Sequence, residues 1–132
     1  MLLDTHTLLW FLNDDTKLIP NIKQKIEQAS NAYVSIISIW EIAIKIGIGK
    51  LNVEFEFQDL PEILLQLDIE TLPITFEDTK IYLELPFHHR DPFDRMLIAQ
   101  AIHRNFLIVS CDEVFDKYLV QRIWDREGII LG

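Results

Sequence analysis

The sequence predicts an α/β fold: a three-layer α/β/α sandwich around a mostly parallel central sheet. Three observations lead there. Short β-branched or continuously apolar runs alternate with longer stretches of helical periodicity, and such alternation builds parallel strands joined by crossover helices. Runs such as Phe106-Leu107-Ile108-Val109 contain no polar alternate, the pattern of strands covered on both faces. The 132 residues are 49% hydrophobic and 25% charged, with no internal repeat and no Gly/Ser/Pro-rich linker, which fits one domain over residues 1–132.

Leu2-Leu3 reads as a short buried strand entering a helix from Thr5 to Asn13, with Leu8, Leu9, Phe11 and Leu12 as its apolar side. Pro20, whose fixed φ suits a first helical position, opens a second helix carrying Ile22 and Ile26. Tyr33-Val34-Ser35-Ile36-Ile37 is a buried strand by its β-branched content. From Ser38 to Ile48 the spacing of Ile39, Ile42, Ala43 and Ile46 is helical, and Gly47 and Gly49 end it. A helix over Gln58 to Leu67, a strand over Glu70 to Ile74 and a helix from Thr75 to Leu85, stopped by Pro86, follow. Pro92 to Arg104 is the clearest helix, with Asn105 as its stop. Strand Phe106 to Val109, a short helix over Glu113 to Tyr118 and a last strand at Ile129-Ile130-Leu131 complete the chain.

Composition excludes several classes. The greasiest stretch, Tyr33 to Ile48, is interrupted by Ser35, Ser38, Glu41 and Lys45, so no run spans a bilayer. Met1-Leu2-Leu3-Asp4 lacks a basic n-region, which argues against secretion. The single cysteine, Cys111, fits a reducing cytoplasm and excludes a multi-thiolate zinc site. The formal charge of −9 has the wrong sign for a broad nucleic-acid-binding face. However, Glu54 to Glu84 hold nine acids and one base, so the remainder is nearly neutral. All five arginines lie in the last third, where His88-His89-Arg90 forms a cationic loop.

Four acids fall where a strand hands over to a helix or one turn into that helix: Asp4, Glu41, Asp94 and Asp112. In open α/β sheets the C-terminal ends of parallel strands share one edge, where crevices form, so these side chains can meet. Each also has a capping role open to it. Ser38-Ile39-Trp40-Glu41 fits a capping box. Asp91 fits an N-cap, with Pro92 at N1 and Asp94 at N3. Asp112 precedes Glu113 as a cap would, and Asp4 can start the first helix. The functional reading rests on the set: converging carboxylates repel unless a cation sits among them. Magnesium or manganese suits oxygen ligands, and no H-x-x-x-H zinc spacing is present. A carboxylate-held metal pair activates water, orients a phosphodiester and stabilises the departing oxygen, so the expected reaction is phosphoryl-transfer hydrolysis.

Thr5 and Ser38 place hydroxyls beside two of these acids, and Arg90 and Arg95 are candidates for binding substrate or pairing with the carboxylates. His88 and His89 read as a solvated polar loop that can alternatively contact phosphate. Trp10, Trp40, Phe93 and Trp124 read as core or subunit interface rather than stacking platforms for bases.

Leu3-Asp4-Thr5-His6-Thr7-Leu8-Leu9-Trp10, Ser38-Ile39-Trp40-Glu41-Ile42 with Lys45, Asp91-Pro92-Phe93-Asp94-Arg95-Met96-Leu97-Ile98-Ala99-Gln100-Ala101 and Ser110-Cys111-Asp112 together resemble a PIN domain, and more narrowly the VapC-type toxins of bacterial toxin–antitoxin modules. The resemblance runs over essentially the whole chain. It implies a Mg2+- or Mn2+-dependent endoribonuclease whose acidic quartet is Asp4, Glu41, Asp94 and Asp112, with Asp91 as helix cap or auxiliary ligand. It also implies a homodimer inhibited by a cognate antitoxin protein. The fourth motif carries Ser110 where the family more commonly has threonine. Two rival readings remain: a catalytically silent binding domain, and a receiver-like signalling domain. The latter requires an acid after the third strand, where this chain has Leu72-Pro73-Ile74.

Overall fold

The computed structural model describes residues 1–124; the expected strand at Ile129-Ile130-Leu131 lies outside the described residues. Among the described residues the order is β1 (Leu2–Leu3), α1 (Thr5–Leu12), α2 (Pro20–Gln28), β2 (Ala32–Ser35), α3 (Ile36–Gly47), α4 (Leu60–Gln66), β3 (Ile69–Leu72), α5 (Phe76–Glu84), α6 (Pro92–Arg104), β4 (Ile108–Val109) and β5 (Arg122–Ile123). Single 3-10 turns precede α4 at Phe57–Asp59 and follow β4 at Glu113–Lys117. All strand pairs are parallel, in the order β3-β2-β1-β4-β5.

Side chains alternate across this sheet, so each strand feeds two cores. Leu3, Val34 and Val109 lie on one face with Leu8 and Leu9 of α1, Ile22 and Ile26 of α2, and Leu60 and Leu64 of α4. Leu2 and Ile108 lie on the other with Leu97, Ile98 and Ala101 of α6 and Phe115. That arrangement is the three-layer α/β/α sandwich, with a buried sheet as the apolar runs require.

The punctuation residues act as expected. Pro20 sits at the start of α2. Asn105 ends α6 in the left-handed conformation, φ 57, and Gly49 adopts φ 75 just after α3, where glycine meets no Cβ penalty.

Three boundaries differ from expectation. β2 ends at Ser35, and α3 begins at Ile36 rather than Ser38, because the Ser35 hydroxyl accepts the Ile37 N–H at 3.0 Å and takes the N-cap first. β3 stops at Leu72, before Pro73, which has no N–H for the ladder. β5 forms at Arg122–Ile123, a segment too short and polar to stand out in the sequence; it is held by Ile108 N–H donating to Gln121 O and Ser110 N–H donating to Ile123 O.

Candidate active site at the strand ends

The strand order steps from β1 outward to β3 on one side and from β4 to β5 on the other. The reversal falls between β1 and β4, so a crevice is expected outside their carboxyl ends. Asp4 follows β1 directly, and Ser110 and Asp112 follow β4. Glu41 comes from the second turn of α3 and Asp94 from the first turn of α6.

Asp4 is buried and both caps α1, accepting the Thr7 N–H at 2.9 Å, and faces the rim. Burial pushes its carboxyl up, opposed by hydrogen bonds from Ser110 and Thr7 and by the nearby His6. Ser110, also buried, accepts the Asp112 N–H at 3.0 Å, so one hydroxyl ties the end of β4 to the end of β1.

Glu41 is held at both oxygens. The Thr5 hydroxyl donates to Oε1 at 2.8 Å, and the Lys45 ammonium meets Oε2 at 2.9 Å. Ser38 Oγ lies 2.9 Å from Thr5 Oγ1. The capping box expected of Ser38 and Glu41 therefore does not form; the helix starts earlier, which turns both residues inward. Thr5 and Ser38 are buried, with Thr5 holding Glu41 directly and Ser38 meeting Thr5.

Asp91 caps α6 by accepting the Phe93 N–H at 2.9 Å, which puts Asp94 at N3 as the sequence suggested. Asp94 is the common neighbour of the set. Its carboxyl is pushed up to about 8, by burial first and then by the charges of Asp91, Asp4, Glu41 and Asp112. Asp112 accepts the Val114 N–H at 3.0 Å and keeps 46% of its side-chain surface exposed, against 19% for Asp94 and 7% for Glu41. Asp112 is thus the open side of a cluster that is otherwise closed.

His89 lies inside this site and not in free solvent. Its Nε2 is 2.9 Å from Asp94 Oδ2 and 3.6 Å from Asp112 Oδ2. The reading of His88-His89 as a solvated loop missed this placement. Its signal was in the sequence only as nearness to Asp91 and Asp94; what brings it in is Tyr118, whose hydroxyl accepts the His88 and His89 N–H groups at 3.0 and 2.9 Å.

Arg95 corrects another expectation. Its guanidinium turns inward, donating to Pro86 O at 3.0 Å and lying over the Tyr82 and Phe87 rings; it meets carbonyls, the Tyr118 hydroxyl and rings rather than rim carboxylates. Arg90 is exposed. Trp10 and Trp124 pack against the core, whereas Trp40 stands 58% exposed with the edge of Phe93 against it.

The donor set suits a divalent cation. Burial and like charge together hold Asp94 largely protonated at neutral pH, a condition that a cation among the oxygens relieves. Among the described residues, side-chain atoms of His89, Asp94 and Asp112 lie within 4.8 Å of one another, a group that does not include Asp4 or Glu41. No helix among the described residues is long and apolar enough to cross a membrane.

Comparison with known proteins gives a family and a fold. A family model described as PIN domain matches residues 1–119. VapBC2 from Rickettsia felis, described as bound to a DNA fragment from their promoter, is similar in structure with a TM-score of 0.71 at 19% identity, covering 94% of this chain and 98% of that one. FitAcB from Neisseria gonorrhoeae is similar with a TM-score of 0.62 at 20% identity, covering 92% and 94%. No curated protein sequence matches the chain.

Proposed function

The chain belongs to the PIN domain family, and on that premise we propose that it is a nuclease, specifically a Mg2+- or Mn2+-dependent endoribonuclease serving as the toxin of a toxin–antitoxin pair. The observation that supports the reading is the surroundings of Asp94, where burial and then the charges of Asp91, Asp4, Glu41 and Asp112 push its carboxyl up to about 8. A structural set of caps has no need for such repulsion, which costs stability. A metal-binding set has.

Asp4, Glu41 and Asp94 would hold the principal ion, and Asp112, more exposed, would complete a second site as RNA arrives. When bound, the metal lowers the pKa of water, orients the phosphodiester and stabilises the departing oxygen. The protein fixes the carboxylates beforehand. Thr5 and Lys45 clamp Glu41, and Ser110 with the Thr7 N–H clamps Asp4. Neutralising the quartet would turn the charge outside residues 54–84 slightly positive, which favours approach of a polyanion. Arg90, exposed beside the rim, remains the candidate for a phosphate contact.

Two partners belong to the reading: a cognate antitoxin, and a second copy in a homodimer. The solved relatives whose names pair two components support the first. The exposed row of Ile36, Trp40 and Ile44 on successive turns of α3, continued by Ile48 at its C-cap, supports a protein-covered face. The proposed setting is the cytoplasm.

Cleavage of end-labelled single-stranded RNA with Mg2+, with Mn2+ and with chelator tests the reaction. Asp4→Asn and Asp94→Asn should fold normally and lose metal-dependent cleavage. Undiminished cutting by either variant refutes the assignment. A wild type that takes up no divalent ion favours the silent binding domain instead.

A further inference from the structure

His89, Asp94 and Asp112 look at first like a mixed nitrogen–oxygen metal site, because their ligand atoms cluster within 4.8 Å. The hydrogen bonds around the imidazole say otherwise. The Asp91 N–H donates to His89 Nδ1 at 3.3 Å, so Nδ1 carries a lone pair and the ring proton sits on Nε2. Nε2 is the nitrogen that faces Asp94 and Asp112. A protonated Nε2 donates a hydrogen bond and has no lone pair for a metal.

The ring is also mounted firmly. The Tyr118 hydroxyl accepts the backbone N–H groups of both His88 and His89, and the imidazole meets the Phe115 ring at 6.2 Å with the planes 67° apart. Phe115 and Tyr118 are themselves buried. Swinging the ring to offer Nδ1 would break its bond to the Asp91 N–H and its packing on Phe115.

We propose that His89 is a positioning residue locked as an Nε2–H donor by the Asp91 amide, which fixes the orientation of the Asp94 carboxylate and keeps a nitrogen ligand out of the metal site. The donated bond engages Oδ2 of Asp94 and would leave the other carboxylate oxygen free to help hold the ion. The site then presents oxygen ligands only, the chemistry that suits magnesium and manganese. This rests on the proposed metal-dependent function, and its test separates the two.

The 15N shifts of His89 in the metal-free wild type should show Nε2 protonated and Nδ1 bare, and the same tautomer should persist with Mg2+. Mn2+ bound to the wild type should show no directly coordinated nitrogen by pulsed electron paramagnetic resonance. By calorimetry, His89→Ala should weaken Mn2+ binding about tenfold or more, as loss of a group orienting a metal ligand does. His89→Gln, whose Nε2 amide retains a donor at the same reach, should recover most of that loss. A protonated Nδ1, a manganese–nitrogen coupling, or Mn2+ affinity unchanged in His89→Ala would each overturn the proposal. Absence of Mn2+ binding by the wild type would refute the metal-dependent function, while the tautomer of the free protein would still decide the state of His89.

Discussion

Asp94 keeps its proton in the folded protein up to about pH 8, whereas in the unfolded chain it ionises near its ordinary value, about 4. Across that window the folded state binds more protons than the unfolded one, so without metal the stability falls as pH rises. Thermal unfolding of the chelator-treated protein between about pH 5 and about pH 8 should show the decline, and Asp94→Asn should flatten it. Equal slopes in the two proteins would count against the charge cluster. The hydroxyl of Thr5 has a separate job. Thr5→Val keeps the shape but removes the donor to Glu41 Oε1, and should weaken Mn2+ binding about tenfold, read by calorimetry, with the fold retained. Asp4, Glu41, Asp94 and Asp112 were all legible as acids at strand-to-helix junctions. The duties of Ser110 and His89 were not, because each depends on a partner distant in sequence: Asp4 for one, Tyr118 for the other.

Elements are fixed to one another by polar bonds as well as by the two cores. Asp78 of α5 is fully buried and accepts from Arg104 at 2.9 Å and from His103 Nδ1 at 2.8 Å on α6, besides closing the capping box of its own helix with Thr75. Burial pushes its carboxyl up, but Arg104, the Thr75 N–H and His103 outweigh burial and hold it well below the usual carboxylate range. Its stabilisation is therefore present above the ordinary carboxylate value and is lost as pH falls below it. Asp78→Ala should cost about 3–5 kcal/mol in denaturant unfolding, since it leaves Arg104 without its buried partner. At that same end of α6, Asn105 bears a left-handed backbone. Asn105→Gly should leave stability equal or higher, and Asn105→Ala should lower it by about 1 kcal/mol. The α6 cap, the Asn105 stop and the proline starts were readable because helix signals are local. The start of α3 was not: Ser38 fits a capping box with Glu41, but β2 ends early enough for Ser35 to cap the helix first.

For the whole molecule, the acids that support the proposed function are expected to weaken the fold until a cation joins them. Mg2+ should raise the unfolding free energy with concentration, by about 2.7 kcal/mol at one hundred times its dissociation constant. The increase should vanish in Asp94→Asn; an equal rise in that variant, measured by thermal shift, would locate the ion elsewhere. The parallel sheet makes this coupling direct, because β1 and β4 lead into the proposed ligands Asp4 and Asp112 and pair side by side through Leu2 with Ile108 and Leu3 with Val109. β5 reinforces the same edge: Arg122 pairs with Asp116 and donates to Ser110 O at 3.1 Å, bracing the turn that carries Asp112.

By itself the sequence determined the layer architecture, most helix limits and the four acids, because periodicity, caps and breakers act over a few residues and leave their mark in order along the chain. Only the tertiary structure decided the strand order, the short β5 pairing, the inward turn of Ser38 and Arg95, and the entry of His89 into the acid cluster. Those outcomes depend on contacts between segments tens of residues apart, where one hydroxyl or amide in reach settles which way a side chain faces.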